Sequence, residues 1–158
     1  MEGRKRTTNR LRIQRLQQNA IVPTKDSRMA AGHDIYALKD GTIPAQRQML
    51  VDTVIAIGLP RGTDGGLAAR SAMASRHGIA AGGGVIDADY TGEVQVISQN
   101  HGNTIYQFKA GDRIAQLIVE KIQTHCYGGS NILRTSAYTR PRSFEIWRIR
   151  VGRPKILR

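Results

Sequence analysis

A short segment bounded by glycines carries the residue types of a general-base site. Residues 84–92 (GVIDADYTG) place two aspartates two positions apart, next to Tyr90. At strand spacing, Asp87 and Asp89 would point to the same face of a strand. A carboxylate beside a tight glycine turn can act as a general base on water when the turn brings a substrate within hydrogen-bond reach. The same pattern is typical of a plain hairpin whose aspartates cap the turn, so the segment alone leaves both interpretations open.

Strand signals dominate the rest of the chain, and strands would have to position this segment. Short apolar runs alternate with glycine and proline, and 17 glycines occur in 158 residues, which favours strands over helices. The sequence therefore predicts an all-β sandwich or barrel. The glycine-rich residues 78–87 are predicted to form a ligand-binding loop. Strands are predicted at residues 11–16, 48–59, 65–69, 92–100, 104–108 and 113–122, with one short helix at 71–76.

The net charge of +12 is concentrated at the two ends of the chain. Residues 1–16 hold six basic residues and one acidic residue, residues 134–158 hold eight basic and one acidic, and the middle is neutral. Such ends could neutralise nucleic-acid phosphates, or they could be solvated ends that keep the protein soluble. We expect a basic extension at 1–10, one domain at 11–125 and a divergent basic tail at 126–158.

The sequence has no signal for export or membrane insertion. No run approaches the roughly 18 apolar residues of a membrane span, and the initial MEGRKR leads into no signal-peptide core. The lone Cys126 allows no internal disulfide and has no partners at zinc-ligand spacing. We therefore expect an intracellular protein, from the cytoplasm or nucleus or of viral or mobile-element origin, that is neither secreted nor bound to a membrane.

Four segments occur in the order of the motifs of a known enzyme family. Residues 31–37 (AGHDIYA), 70–74 (RSAMA), 80–94 (AAGGGVIDADYTGEV) and 111–118 (GDRIAQLI) resemble, in turn, the first four of the five motifs of the trimeric all-β dUTP diphosphatases, or dUTPases. The likeness covers residues 11–122 or so. It implies a dUTPase-like distorted jelly roll, also called a β-clip, that assembles as a homotrimer with active sites between subunits.

The resemblance implies Mg²⁺-dependent hydrolysis of dUTP to dUMP and pyrophosphate. Asp87 would orient and deprotonate the water that attacks the α-phosphate. Tyr90 would stack on the deoxyribose and leave no room for a 2′-hydroxyl group. Backbone groups of Gly84, Val85 and Ile86 would read uracil, and a glycine there permits close approach of the base.

The resemblance assigns the phosphates to a second set of residues. Arg70 as a forked cation, Ser71 as a hydroxyl donor with Ala72 beside it, and Gln116 would hold the triphosphate. Asp34 would help to position Mg²⁺ through the water shell of the ion. Each residue also has an ordinary structural interpretation: Arg70 as a surface ion-pair partner, Gln116 as a strand residue facing water, and Asp34 as a turn residue.

Two departures from the family pattern bear on activity. The glycine-rich fifth motif is not recognisable after Ile122, and Ala72 stands where a glycine usually follows the serine. Losing one transition-state donor typically costs about 10²–10³-fold in rate. The sequence therefore predicts reduced dUTP diphosphatase activity or, alternatively, an inactive relative that binds nucleic acid or a protein partner through its basic ends.

A related family, the dCTP deaminases, also has an Ile-Asp turn followed by a strand. Those enzymes need a glutamate five residues after the glycine that corresponds to Gly92. Here that position is Ile97, so the chain lacks the acid that deamination would need.

Overall fold

A computed structural model describes residues 10–125 of the chain. Within that range the fold has eleven strands and one short helix, so the predicted all-β class is confirmed. The predicted tail at 126–158 and residues 1–9 of the predicted extension lie outside the described residues. The elements are β1 Arg12–Arg15, β2 Gly32–Tyr36, β3 Gly41–Ile43, β4 Gln48–Val51, β5 Ile55–Gly58, β6 Thr63–Ala68, α1 Ser71–His77, β7 Ile79–Gly82, β8 Val85–Ile86, β9 Val96–Asn100, β10 Tyr106–Phe108 and β11 Arg113–Lys121.

Antiparallel pairing joins these strands into four sheets. The largest has the order β2-β11-β6-β8, a second has the order β4-β9-β7, and β1-β5 and β3-β10 form two-stranded pairs. β11 is the longest strand, with nine residues, and it pairs with β2 on one side and β6 on the other. Parts of the segments that resemble the first, third and fourth motifs, namely β2, β8 and β11, therefore belong to one sheet, and the second segment begins just after β6 of that sheet.

Strand periodicity builds the core. Alternate residues of a strand point to opposite faces, and β9 accordingly buries its first, third and fifth residues. Removing apolar side chains from water is the main driving force for packing, at about 25 cal/mol per Å². Within residues 10–125, eight large apolar side chains are each at most 2% exposed: Ile35, Ile43, Ile55, Ile57, Ile79, Val94, Val96 and Leu117.

The single strand predicted at residues 48–59 is wrong at its centre, where the chain forms two strands instead. The backbone N–H groups of Thr53 and Val54 donate to the Glu93 carboxylate at 3.2 and 2.9 Å. The Glu93 carboxylate thus accepts the backbone hydrogen bonds that the carbonyls of a neighbouring strand would otherwise accept. Val54 also has a φ of 49°, a left-handed conformation that β-branched residues rarely adopt, so the chain must turn there.

Four strands were not predicted from the sequence, namely β2, β3, β7 and β8. β7 and β8 occupy the glycine-rich segment predicted as a loop, because paired neighbours stabilise extended backbone that glycine by itself does not favour. β2 contains a glycine, a histidine and an aspartate in five residues, which masks its strand character. The other predicted strands are present with shifted ends.

The predicted helix at 71–76 is confirmed as α1, which ends at His77. Gly78 follows it with a φ of 67° and donates its N–H to the Ala74 carbonyl at 3.0 Å, a left-handed cap that glycine adopts without strain. Met73 is the buried residue of the helix. No helix within residues 10–125 is long and apolar enough to cross a membrane.

Asn100, the last residue of β9, links the end of β3 to the loop that follows β9. It is 2% exposed. Its Nδ2 donates to the carbonyls of Ile43 at 3.0 Å and Thr104 at 2.9 Å, and its Oδ1 accepts the Gly102 N–H at 2.9 Å. Because buried polar groups without partners are costly, this side chain should contribute strongly to stability.

We expect Asn100→Ala to lower the free energy of unfolding by about 2–3 kcal/mol, since it leaves buried backbone groups without partners. Urea titration followed by fluorescence measures the loss. Gln107→Ala is the matched control, because Gln107 is an exposed amide on β10, and it should change stability by less than about 0.5 kcal/mol. Equal losses in the two variants would contradict the structural role of Asn100.

Candidate active site

The segment 83–87 is held against β6 by two glycines. Gly83 has a φ of 58°, which favours glycine. The Leu67 N–H donates to the Gly84 carbonyl at 2.7 Å, and a Cβ on Gly84 would lie 2.5 Å from the Leu67 carbonyl oxygen. No side chain fits at this approach, so glycine at position 84 is required by the backbone packing.

Asp87 follows β8 directly and begins a turn. Its carbonyl accepts the Tyr90 N–H at 3.1 Å, and its side chain is exposed. Asp89 lies within this turn, so the expectation that the two aspartates share a strand face is wrong. Within residues 10–125, neither carboxylate forms a salt bridge.

The Tyr90 ring is fixed by the backbone that follows it. The phenol hydroxyl donates to the Glu93 carbonyl at 2.9 Å, while the Glu93 carboxylate anchors the Thr53–Val54 turn. A Cβ on Gly92 would lie 2.6 Å from the Tyr90 hydroxyl, so glycine allows the ring to fold back. Glu93 was not predicted as a site residue, although it lies inside the quoted third motif.

These side chains border a pocket of about 250 Å³. Its lining includes Val85, Ile86, Asp87, Tyr90 and Glu93. The pocket thus combines apolar walls, one aromatic ring and one exposed carboxylate that is free of salt bridges in the described chain. This volume lies just below the usual 300–1,000 Å³ range of ligand pockets, as suits a small apolar and aromatic group.

A second group of site candidates surrounds Asp34 on β2. The Asp34 side chain is 9% exposed, and its Oδ1 lies 3.2 Å from the Arg70 Nε while its Oδ2 lies 3.1 Å from the Arg113 Nη1. The same Arg113 nitrogen lies 2.8 Å from the Asp26 Oδ1. The hydrogen bond to Asp26, together with the charge of Asp34, raises the pKa of Arg113. Asp34 is therefore a buried strand residue and not a turn residue, and Arg70 is an ion-pair partner.

Gln116 lies at the centre of the large sheet. It pairs with Asp34 across one side of β11 and with Ala68 across the other. Its Nε2 donates to the Ala69 carbonyl at 3.2 Å, and a Cβ on Gly32 would lie 2.7 Å from its Oε1. The amide thus fixes the chain just before α1.

Arg70 precedes α1, and Ser71 and Ala72 form its first turn. Arg70 has extended backbone and forms no side-chain cap, but its carbonyl accepts the Ala74 N–H at 3.0 Å. The side chains of Ser71 and Ala72 are exposed. The hydroxyl of Ser71 and the guanidinium of Arg70 therefore belong to the same short segment that Gln116 holds.

His33 precedes Asp34 and lies on the opposite face of β2. Its Nδ1 is buried without a hydrogen-bond partner in the described chain. Burial, followed by the charge of Lys25, lowers the pKa of His33. A neutral imidazole at this position adds no positive charge to the group around Asp34.

The predicted site residues thus fall into two groups. Asp87, Tyr90, Val85 and Ile86 share the pocket, with Gly84 supporting its wall. None of the candidate phosphate ligands in the described chain lines that pocket. Arg113, which bonds Asp34, was not among the predicted site residues, although it lies in the quoted fourth motif.

Comparison with known proteins gives consistent results for sequence and fold. A family model described as dUTPase matches residues 18–141. Three curated relatives named deoxyuridine 5'-triphosphate nucleotidohydrolase come from Saccharomyces cerevisiae, Candida glabrata and Arabidopsis thaliana. The first is 53% identical over 112 residues, covering 71% of this chain and 76% of the relative. The second is 51% identical over 114 residues, covering 72% of this chain and 79% of the relative. The third is 44% identical over 113 residues, covering 72% of this chain and 68% of the relative.

Solved structures with the same fold include two phage enzymes. A mutant dUTPase from Staphylococcus aureus phage phi11, described for its coordination of a structural Mg(II) ion, has a TM-score of 0.72 at 24% identity and covers 80% of this chain and 100% of that one. A mutant dUTPase of Staphylococcus phage 80alpha with dUpNHpp has a TM-score of 0.75 at 24% identity. It covers 87% of this chain and 97% of the phage chain. These likenesses concern the fold, whereas the family model and the curated relatives concern the sequence. The family model and the curated relatives show that the chain belongs to the dUTPase family.

Proposed function

We propose that this protein hydrolyses dUTP to dUMP and pyrophosphate. The observation that carries the proposal is the exposed Asp87 carboxylate next to Tyr90 in a pocket that has both polar and apolar walls. The chain also belongs to a family whose curated relatives, 44–53% identical to it, are named deoxyuridine 5'-triphosphate nucleotidohydrolase.

Asp87 acts as the general base in this proposal. Its carboxylate accepts a proton from a water molecule, and the water oxygen bonds to the α-phosphorus. The bond between the α-phosphorus and the oxygen that bridges it to the β-phosphorus breaks, and pyrophosphate leaves with the bonding electrons. An exposed carboxylate with no salt bridge in the described chain is free to accept the proton.

Tyr90 and the hairpin before it provide selectivity. The hydroxyl of Tyr90 is held at 2.9 Å by the Glu93 carbonyl, so the ring presents a fixed face to the deoxyribose and blocks a 2′-hydroxyl. Backbone groups of Val85 and Ile86 read the edge of uracil. Gly84 keeps the hairpin close to β6, which narrows the pocket against larger bases.

Arg70, Ser71 and Gln116 bind the phosphates in this proposal. They are grouped around α1 and β11 and do not line the Asp87 pocket of the same chain. We therefore propose a homotrimer in which the phosphate-binding group of one subunit faces the pocket of the next. Closed symmetric assemblies of this kind make the same interface three times.

Magnesium enters this proposal with the nucleotide. Within residues 10–125 no group of three His, Cys, Asp or Glu side chains could hold a metal ion, and both oxygens of Asp34 lie against arginines. The described donors therefore do not fit a resident Mg²⁺. Mg²⁺ prefers phosphate oxygens and keeps several of its waters, so Mg·dUTP is the substrate.

We expect Asp87→Asn to lower kcat by about 10²–10⁴-fold, because the amide cannot accept the proton from water. Affinity for dUTP should be largely retained. Pyrophosphate release with Mg²⁺ measures the rate, with dCTP, dTTP and UTP as competing substrates. The matched control is Asp89→Asn, which changes an exposed carboxylate in the same turn and should leave the rate near that of the wild type. Undiminished turnover in Asp87→Asn would remove Asp87 as the base.

A second candidate function is nucleic-acid binding, favoured by the surface of β1. Within residues 10–125, β1 pairs only with β5, and Arg10, Arg12 and Arg15 are exposed and form no salt bridge. The sequence has no acidic residue from position 3 to position 25. Arg10 lies two residues before Arg12, the first residue of β1, so three exposed arginines fall within six residues and could contact successive phosphates. We propose that the basic residues at positions 1–9 and 126–158 also contact the nucleic-acid phosphates.

We expect the triple change Arg10→Gln, Arg12→Gln and Arg15→Gln to weaken binding of labelled single-stranded DNA or RNA and to flatten its salt dependence. Each lost phosphate contact should reduce the slope of log affinity against log salt by about 0.7. Fluorescence anisotropy of the full chain measures both quantities. The charge-matched control replaces three exposed arginines on other parts of the surface, Arg47, Arg61 and Arg76, by glutamine. Equal effects of the two triple variants would assign binding to net charge and not to β1.

A further inference from the structure

The carboxylate of Glu93 accepts hydrogen bonds from two successive backbone N–H groups. The N–H groups of Thr53 and Val54 both donate to its Oε1, at 3.2 and 2.9 Å. Val54 has a φ of 49°, and successive N–H groups in turns of this kind form concave anion-binding sites. Thr53 and Val54 are 2% and 6% exposed. The turn before β5 therefore holds the Glu93 side chain on a buried and rigid part of the chain.

The backbone that follows Glu93 is fixed to the same part of the fold. The Val94 N–H donates to the Ile55 carbonyl at 2.9 Å, and the Thr53 hydroxyl donates to the Val94 carbonyl. The side chain of Val94 is 2% exposed. Because both the side chain of Glu93 and the residue after it are held, the carbonyl of Glu93 is confined to one position.

That carbonyl accepts the hydrogen bond of the Tyr90 hydroxyl at 2.9 Å. Tyr90 is 46% exposed, so burial alone does not fix its ring. The hydroxyl bond anchors the far end of the ring, whereas the backbone anchors the near end. Tyr90 and Glu93 both line the pocket that contains Asp87, so this bond lies within the candidate active site.

We propose that Glu93 is a positioning residue for the selection of the sugar. The inference rests on the proposed function and adds a residue to it. In that function the face of Tyr90 blocks a 2′-hydroxyl, and a side chain selects by geometry only when supporting hydrogen bonds and packing lock it in place. Glu93 supplies this support, because it connects the Tyr90 hydroxyl to the buried turn at Thr53 and Val54. A ring without the support moves aside and admits a ribonucleotide.

The alternative is that Glu93 only stabilises the turn before β5. That role would lower the stability of the fold and leave the preference for a deoxyribonucleotide unchanged, because the molecules that remain folded keep the same pocket. A positioning role makes a different prediction. It lowers the preference itself, and a side chain that restores the two N–H bonds restores the preference.

The experiment compares the binding of α,β-imido-dUTP and α,β-imido-UTP to the full chain with Mg²⁺ by calorimetry. We expect Glu93→Ala to lower the ratio of the two affinities by about five- to tenfold, as for the loss of one hydrogen bond. Glu93→Gln should retain most of the preference, because its amide oxygen still accepts both N–H groups. Asn100→Ala is the control for lost stability, since Asn100 is a buried polar residue outside the pocket, and it should keep the wild-type ratio.

A double-mutant cycle tests whether Glu93 acts through Tyr90. Tyr90→Phe removes the hydroxyl that the Glu93 carbonyl binds, so it should lower the ratio by a similar factor, and adding Glu93→Ala should lower it no further. An unchanged ratio in Glu93→Ala, the same loss in Glu93→Gln or Asn100→Ala, or additive losses in the double variant would overturn the proposal.

A wild-type chain with no preference for the deoxy analogue would also overturn it. Neither analogue is cleaved between the α- and β-phosphates, so the measurement does not depend on turnover. A chain that shows the expected pattern of binding but releases no pyrophosphate from dUTP refutes the proposed function and not this inference.

Discussion

The pairing of β11 with two neighbours at once is the constraint on which the group of polar residues around Asp34 depends. Gln116 stands opposite Asp34 on one side and Ala68 on the other. A shift of one residue in either register would turn every side chain of that strand to the other face. It would separate Asp34 from Arg113 and detach Gln116 from the chain before α1. The leucine at position 117 is fully buried in the same strand, so the hydrophobic core enforces the register that the polar groups need.

The buried carboxylate of Asp34 has a cost that explains its partners. A charge removed from water is tolerated only when it is paired and hydrogen-bonded. Here two arginines from different elements satisfy it: Arg113 lies on β11, and Arg70 precedes α1, where Gln116 of β11 bonds the Ala69 carbonyl. The site therefore uses one desolvated charge to orient two partly solvated ones. The carboxylate of Asp87 is treated differently, since it stays exposed and unpaired within the described chain, as a proton acceptor requires.

Sequence reasoning reached the all-β class and α1, and it found the segments that carry both groups of site residues. It did so because the glycine pattern and the motif spacing are local. It failed where a distant side chain decides the local structure. The split between β4 and β5 depends on Glu93, some forty residues away, and the pairing of β7 and β8 depends on strands that supply bonds to a glycine-rich backbone. The ion pairs of Arg113 were missed for the same reason: its partners Asp26 and Asp34 are far from it in sequence and meet it only through the fold.

The two groups of site residues differ in chemistry, and this difference has a consequence for how the site assembles. In the proposed function, the pocket of Asp87 and Tyr90 takes the nucleoside, whereas Arg70, Ser71 and Gln116 bind the phosphates. Each group has its local contacts within one chain, and in the proposal neither group binds a whole nucleotide by itself. In the proposed trimer, a bound nucleotide would bridge two subunits, and its binding energy would add to the stability of the assembly by mass action. Substrate binding would then stabilise the trimer, and trimer formation would strengthen substrate binding.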